Sequence, residues 1–259
     1  MIDTVLRPHE AEIMNRAIAE EQAKRRHLVI ALSGAHAYGF PSPDSDLDLK
    51  SIHVDPTTAL LGLGHGTPHA DRMEKIEGIE IDYTSNEIKP VLIGVLQGNG
   101  NYIERVLGAL LPYRAPELDA LKPLVQQTLS RRMFRHYLGF ATSQLKAAQG
   151  PEGTSAKKLL YVLRTALTGA HALRTGRIVI DVRELIDDYG FQEARELIEA
   201  KRAGETIKLS PEAAARWTEG VMRVFAVLEE AHDQSVLPAE PRGVAELESW
   251  LLAERRKQL

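Results

Sequence analysis

Apolar residues recur along this chain with both strand and helix periods, and the strand period is confined to the part before about residue 112. Before that point, short segments are either wholly apolar or alternate between polar and apolar residues, as strands do. We expect four strands, at residues 27–32, 46–54, 72–76 and 79–84. The last two flank Glu77-Gly78, a dipeptide suited to a hairpin turn. Helices are predicted at residues 9–26 and at residues 86–97, the latter with Ser85 as its cap. A further short helix is predicted to end near residue 107.

After residue 112 the apolar residues recur at helical spacing, and no further strand is predicted. Helical patterns occupy residues 117–148, 154–174, 182–189, 192–201, 211–233 and 243–257. Residues 149–153 (QGPEG) contain glycine and proline, which predicts a break between the first two of these helices. The predicted fold class is therefore α+β, with a small mixed domain over residues 1–112 followed by an all-helical domain over residues 113–259.

Two carboxylates stand two positions apart at the start of the second predicted strand. Because alternate residues of a strand share a face, Asp46 and Asp48 point the same way. Neighbouring like charges repel, and a bound cation removes that cost. Asp82, on another predicted strand, is the candidate for a third carboxylate, and such oxygen ligands suit Mg²⁺ or Mn²⁺. An Asp-x-Asp taken alone is more often a turn cap or a solvated edge. His53 lies on the opposite face and is predicted to be a buried residue with satisfied hydrogen bonds.

A glycine turn precedes this carboxylate strand. Gly34 follows the first apolar strand and stands twelve residues before Asp46. Backbone N–H groups presented by such a turn can bind a triphosphate. A strand, a glycine turn and a carboxylate strand together therefore predict a phosphate cradle that faces a metal site.

The sequence resembles the DNA-polymerase-beta-type nucleotidyltransferase superfamily, and within it a bacterial and phage branch linked to RNA-repair gene clusters. The resemblance is most specific at residues 34–39 (GAHAYG) and 43–49 (PDSDLDL), which match a glycine turn followed by Asp-x-Asp. It extends to residues 81–87 (IDYTSNE), 98–104 (GNGNYIE) and 157–176 (KKLLYVLRTALTGAHALRTG). It covers roughly residues 28–180.

The resemblance implies a small mixed-sheet, polymerase-beta-like domain that transfers a nucleotidyl group from an NTP, such as ATP, to a hydroxyl and releases pyrophosphate. Asp46 and Asp48 are expected to bind two Mg²⁺ or Mn²⁺ ions. Asp82 is expected to bind the ion that activates the acceptor hydroxyl and to take its proton. Gly34 and Ala35 are expected to hold the triphosphate through their backbone N–H groups.

One position departs from the superfamily pattern. Ala35 stands where relatives have a serine whose hydroxyl is implied to contact the terminal phosphates, so one hydrogen bond of about 0.5–1.5 kcal/mol is lost. Ser33 could supply a substitute hydroxyl. The departure leaves a second hypothesis open, a weakly active or inactive nucleotide-binding regulatory protein of the same fold. A third is a helical interaction protein whose mixed part is only a scaffold.

Basic residues form a second group of candidates. Lys157, Tyr161 and Arg164 share one face of a predicted helix, so the two cations could reach phosphates while the tyrosine stacks or hydrogen-bonds. A solvated basic face with a half-buried Tyr161 is an equally weighted alternative. Lys50 continues the face of the two strand carboxylates. It could neutralise a phosphate, or it could pair with the carboxylates when no metal is bound.

Composition and charge limit the chemistry, the compartment and the binding partners that are expected. The absence of cysteine excludes disulfides and thiolate metal sites. No apolar run reaches the roughly 18 residues that span a bilayer and no secretory signal is predicted, so a cytoplasmic protein is expected. The net charge of -4 gives no overall attraction to nucleic acid, and an RNA acceptor would need a local basic patch. A protein side chain or a small molecule is the alternative acceptor, and no oligomeric state is predicted.

Overall fold

The computed structural model describes residues 5–149, 153–204 and 208–259, and the predicted break at residues 149–153 lies largely outside them. A five-stranded sheet organises the first part of the chain. Its strands are β1 (His27–Leu32), β2 (Leu47–His53), β3 (His69–Ile76), β4 (Ile79–Glu87) and β5 (Tyr113–Arg114). They lie in the order β3-β4-β2-β1-β5. The sheet is mixed, because β2 and β4 run parallel while the other neighbours are antiparallel.

Helices account for most of the remaining described chain. They are α1 (Pro8–Lys24), α2 (Gly34–Tyr38), α3 (Thr57–Leu61), α4 (Ile88–Leu96), α5 (Gly100–Leu107), α6 (Glu117–Thr128), α7 (Met133–Ala148), α8 (Ala156–Thr175), α9 (Val182–Asp188), α10 (Arg195–Arg202), α11 (Pro211–Asp233) and α12 (Val244–Arg256). A mixed sheet followed by helices confirms the predicted α+β class. In the described ranges, no helix has both the length and the apolar character that crossing a bilayer requires.

The strands follow from local sequence. All six residues of β1 are buried, as its unbroken apolar run predicts. The hairpin between β3 and β4 turns through Glu77 and Gly78, whose φ angles are 51° and 90°. A two-residue turn of this kind requires positive φ at both positions, and glycine adopts it without cost. The predicted hairpin is therefore confirmed.

Three sequence predictions were wrong in detail. Strand β4 continues to Glu87, whose carboxylate accepts a hydrogen bond from Lys89 N, so Glu87 and not Ser85 caps α4. A fifth strand, β5, pairs with β1 after residue 112, but two residues are too few to show alternation. The helix predicted over residues 117–148 is two helices. The chain between them turns away after Thr128, and Arg131 N donates to Pro238 O.

The chain folds into two compact units. The first comprises Met1–Gly34, Asp46–Leu129 and Pro241–Leu259, and it contains the sheet together with α12. The second comprises Ala35–Ser45 and Ser130–Glu240, so the segment that follows the glycine turn belongs to the helical unit. Within that unit α8 is buried on nearly every side and packs against α7, α9, α10 and α11. A helix buried over most of its surface is one that other helices surround.

Candidate functional site

Two carboxylates oppose each other across the parallel strands β2 and β4. Asp48 and Asp82 are register partners. Their side chains are 24% and 37% exposed. Partners of neighbouring strands project from the same face of a sheet, where like charges placed directly opposite destabilise it. This pair therefore requires a cation nearby.

Lys50 supplies that cation in the structure. Its Nζ lies 2.8 Å from an oxygen of Asp82 and 3.8 Å from an oxygen of Asp48. The same ammonium donates to Thr84 Oγ1 at 3.4 Å. Lys50 stands two residues after Asp48 on β2, so strand alternation brings it to the face of both carboxylates. The position predicted for Lys50, on the face of the strand carboxylates, is confirmed, while its role toward carboxylates or phosphate stays a prediction.

Asp46 lies one residue before β2 begins and is half-buried. Within the described residues, no group of three or more histidine, aspartate and glutamate side chains is close enough together to hold a metal ion. The donor set itself fits a hard divalent cation, because it consists of carboxylate oxygens that already share a positive charge. Asp48 and Asp82 are the residues that the sheet brings together.

Gly34 is packed directly against the Asp48 carboxylate. A Cβ built on Gly34 would lie 1.8 Å from Asp48 Oδ2, and the residue has a φ of +64°. Both features demand glycine, since an L side chain would collide with the carboxylate and is disfavoured at this φ. The neighbouring backbone is tied to the same strand, because Ser33 N donates to Asp48 O at 2.9 Å. The glycine turn predicted from the sequence is therefore a close backbone approach to Asp48.

Helix α2 starts at this glycine, and the first N–H groups of a helix have no acceptor within it. The role of Gly34 and Ala35 in a backbone phosphate cradle stays a prediction. Ala35 is buried, and its carbonyl accepts a hydrogen bond from Phe40 N at 3.1 Å. Ser33 is half-buried immediately before the turn.

The basic candidates lie on α8, in the helical unit. Arg164 is buried, and its guanidinium carbon is 3.8 Å from the centre of the Tyr38 ring. Tyr161 contacts Tyr38 and Phe40 edge-on, with ring centres 5.7 and 5.6 Å apart. Lys157 Nζ lies 6.0 Å from the centre of the Tyr161 ring. The alternative of a solvated basic face does not hold for Arg164, which is buried against an aromatic ring, whereas Tyr161 is half-buried as that alternative predicts.

Sequence reasoning missed a second buried cation. Lys201 of α10 is 1% exposed and donates to the hydroxyls of Ser42 and Ser45, which lie 3.1 Å from each other. These serines stand in the segment that precedes Asp46 in the sequence, and the lysine ties that segment to α10. A signal was present, since Lys201 shares the apolar face of α10 with Leu197.

A small mixed sheet with opposed carboxylates, one of them packed on the glycine of a strand-to-helix turn, defines a nucleotidyltransferase-type domain. The chain belongs to the RNA repair pathway DNA polymerase beta family, whose model matches residues 6–253. The resemblance drawn from the sequence is thereby confirmed. Membership of this family supports nucleotidyl transfer as the class of chemistry.

Similarity to individual proteins is lower. The chain is 26% identical over 155 residues to Uncharacterized protein MJ0002 of Methanocaldococcus jannaschii, covering 60% of this chain and 63% of that protein, which is less than two thirds of its length. It is 26% identical over 198 residues to Uncharacterized protein YcgL of Bacillus subtilis, covering 73% and 75%. A crystal structure of a nucleotidyltransferase-like protein from Exiguobacterium sibiricum 255-15 matches 96% of this chain and 80% of that one, at 11% identity and a TM-score of 0.36, which is too low to support an inference.

Proposed function

We propose that this protein transfers a nucleotidyl group from an NTP, such as ATP, to an acceptor hydroxyl and releases pyrophosphate. The observation that carries the proposal is the opposition of Asp48 and Asp82 across β2 and β4, with Gly34 packed on the Asp48 carboxylate. Titratable groups that are half-exposed, opposed and like-charged are what a site for cations and phosphates requires. Membership of the polymerase beta family supports the same chemistry.

Asp46, Asp48 and Asp82 are the residues that would hold Mg²⁺ or Mn²⁺. When bound, such a cation neutralises charge that develops on the phosphate oxygens and lowers the cost of deprotonating the acceptor. Lys50 shares the two opposed carboxylates in the structure, so metal binding requires its ammonium to move. Once displaced, Lys50 is positioned on the same face to neutralise a phosphate.

The chain's own groups position the reactants. The acceptor oxygen attacks the α-phosphorus of the NTP, and its proton passes to the carboxylate of Asp82, the more exposed of the opposed pair. The bond from the α-phosphorus to the bridging oxygen breaks, and its electron pair leaves with pyrophosphate. The N–H groups of Gly34 and Ala35, with the hydroxyl of Ser33, hold the triphosphate by fixed dipoles.

RNA is the acceptor we favour, at a terminal hydroxyl, because the family is described by an RNA repair pathway. Lys157 and Tyr161 are half-exposed on α8 and are proposed to contact the nucleotide. Arg164 is proposed to act with them by holding the aromatic group of Tyr38 and Tyr161 in place. A protein side chain or a small molecule remains the alternative acceptor.

A second candidate function is nucleotide binding without transfer. One observation favours it: Ala35 lacks the serine hydroxyl of relatives. Under this alternative, NTP binds but pyrophosphate is not released. The two candidates therefore differ in a single measurable step.

The test is pyrophosphate release from each NTP, with Mg²⁺ or Mn²⁺, in the presence and absence of bulk RNA. Wild type is compared with Asp82→Asn and with Glu80→Gln, which removes an exposed carboxylate from the same face of the same strand. Release by wild type and Glu80→Gln but not by Asp82→Asn supports the transferase. Metal-dependent NTP binding with no release under any condition supports the binding protein. Neither binding nor release would rule out both.

A further inference from the structure

Strand β3 lies at one edge of the sheet, and no strand of the described residues pairs with its outer side. It is the terminal strand in the order β3-β4-β2-β1-β5, and it is eight residues long. Its odd-numbered residues, His69 to Lys75, are all exposed, and Met73 is 74% exposed. A long edge strand with an exposed apolar side chain is a template for pairing with another strand.

The backbone groups of β3 are oriented for such pairing. Residues of an antiparallel pair alternate between those that hydrogen-bond to the partner strand and those whose N–H and C=O point away from it. Ile76 and Ile79 close the two-residue turn, and Glu87 N donates to Pro68 O. The even-numbered residues of β3 therefore bond to β4. Asp71, Met73 and Lys75 present their backbone groups on the outer side.

The sequence of β3 is complementary to itself in one register. If two copies of the strand pair antiparallel with Met73 opposite Met73, then Asp71 lies opposite Lys75 and Arg72 lies opposite Glu74, each twice. Centring the pair one residue earlier places Arg72 on Arg72, and one residue later places Glu74 on Glu74. Opposite charges directly across a strand pair stabilise it and like charges destabilise it, so the Met73 register is favoured.

We infer that the edge of β3 is an interface for a second copy of this chain. Pairing two such edges about Met73 joins the five-stranded sheets of the two copies into one continuous sheet. The two β3 strands form its antiparallel junction. Charges that usually protect an edge strand from self-association are here arranged to complement one another. Arg72, which already pairs with Glu20 and Glu74 of its own chain, becomes part of an alternating row of charges.

The pairing has a consequence that rests on the proposed function. Met73 is the register partner of Asp82, so the two residues share a face of the sheet. Symmetric pairing keeps the same face of both copies on one side. The two Asp82 residues are then separated by three strand spacings of about 4.8 Å, or about 14 Å in all. Two candidate sites would open onto one surface that a single extended acceptor can cover.

Disulfide trapping tests the register, because the chain contains no cysteine. Directly opposed residues of such a pair have Cα atoms about 5.5 Å apart, which a disulfide can bridge. Met73→Cys protein should form a covalent dimer under mild oxidation. Asp71→Cys protein alone should not, since its own copy lies out of register, but it should form a heterodimer when mixed with Lys75→Cys protein. Equal crosslinking in all of these samples would overturn the register.

A charge swap tests the interface in solution, with mass measured by light scattering or sedimentation. Lys75→Asp should raise the dimer dissociation constant about tenfold by opposing two aspartates, and Asp71→Lys/Lys75→Asp should restore it. Thermal unfolding confirms that each variant is folded. A wild-type chain that stays monomeric throughout the micromolar range would overturn the proposal. None of these measurements uses a nucleotide, so they can fail while the proposed transferase activity stands.

Discussion

The two faces of strands β2 and β4 carry polar residues for opposite reasons. On one face, Asp48 and Asp82 are half-exposed and share a single ammonium. On the other, Ser51, His53 and Ser85 are fully buried. His53 Nδ1 lies 2.7 Å from Ser85 Oγ, and its Nε2 lies 2.6 Å from Thr67 O. The predicted burial and hydrogen bonding of His53 are thus confirmed. A buried polar network whose hydrogen bonds are formed stabilises a fold. Two partly exposed carboxylates that share one ammonium are instead positioned to bind a ligand.

The two histidines of the buried face have lowered pKa values. Burial lowers the pKa of His27 to about 4, and it also holds the pKa of His53 below its usual value. Both imidazoles are therefore neutral near pH 7. Tyr83 Oη lies 2.6 Å from His27 Nε2 and accepts hydrogen bonds from Ser51 Oγ at 3.1 Å and from Arg25 at 3.2 Å. We expect changes on this face to alter stability, and changes on the carboxylate face to alter activity.

The largest effect is expected from Asp48→Asn. This change retains the shape of the side chain but removes a proposed cation ligand, so pyrophosphate release should fall about a thousandfold, equivalent to about 4 kcal/mol of transition-state stabilisation. The melting temperature should hardly move, because the lost ion pair with Lys50 is partly exposed. Activity above a tenth of wild type would remove Asp48 from the site.

Gly34→Ala should impair both stability and activity, because the backbone of Gly34 packs directly against the Asp48 carboxylate. The added Cβ would collide with Asp48 Oδ2. The left-handed φ should lower the free energy of unfolding by about a further 1–2 kcal/mol. Gly78→Ala is the matched control, since Gly78 has a φ of +90° with nothing within 4 Å of its Cβ. It should show the backbone cost in thermal unfolding while keeping full activity. Equal losses of activity in the two variants would contradict the close-approach role of Gly34.

Tyr83→Phe probes the buried face. Removing the hydroxyl leaves Ser51 and Arg25 without one acceptor and His27 without one donor, so the free energy of unfolding should fall by about 2 kcal/mol and the melting temperature by about 4–8 °C. Pyrophosphate release below the melting transition should be unchanged. Tyr113→Phe, at a half-exposed tyrosine of β5, is the control and should change neither quantity. A stable but inactive Tyr83→Phe protein would show that the two faces are not independent.

Acidification should lower the free energy of unfolding through His27 of the buried face. The folded-state pKa of His27, about 4, lies below the value of about 6.5 for an unfolded histidine, so its protonation favours unfolding. Stability is then greatest above pH 6.5 and is lost as the pH falls toward 4. Between pH 7 and pH 5 the loss from this group is about 2 kcal/mol.

Chemical denaturation at the two pH values measures this loss. His27→Gln should remove about that much of the difference between pH 7 and pH 5, leaving the part contributed by His53 and His171, whose pKa values burial also lowers. His9→Gln, at an exposed histidine, should leave the difference intact. If His27→Gln behaves like His9→Gln, the buried imidazole is not the group that responds to pH.

The contrast also explains what the sequence could and could not predict. Alternation along a strand assigns Asp48 and Lys50 to one face and His53 to the other, because that relation is local. The register that sets Asp48 beside Asp82 is a long-range pairing, and the sequence supported it only through a family resemblance. Lys201 was missed because a lysine within an apolar helix face interrupts the apolar pattern and is not expected to be buried. Its partners, Ser42 and Ser45, lie more than 150 residues earlier in the sequence.

The smallest expected effect tests the one departure from the family pattern. Ala35→Ser restores the hydroxyl of relatives beside Gly34, and one added hydrogen bond of about 0.5–1.5 kcal/mol should lower KM for the NTP by about twofold to tenfold. Ala37→Ser, a buried position on the same short helix, is the control and should leave KM unchanged. A gain at residue 35 alone would show that the turn contacts the nucleotide and that Ala35 weakens this contact. Loss of activity at residue 35 alone would instead show that this chain binds its nucleotide in a way that excludes the serine.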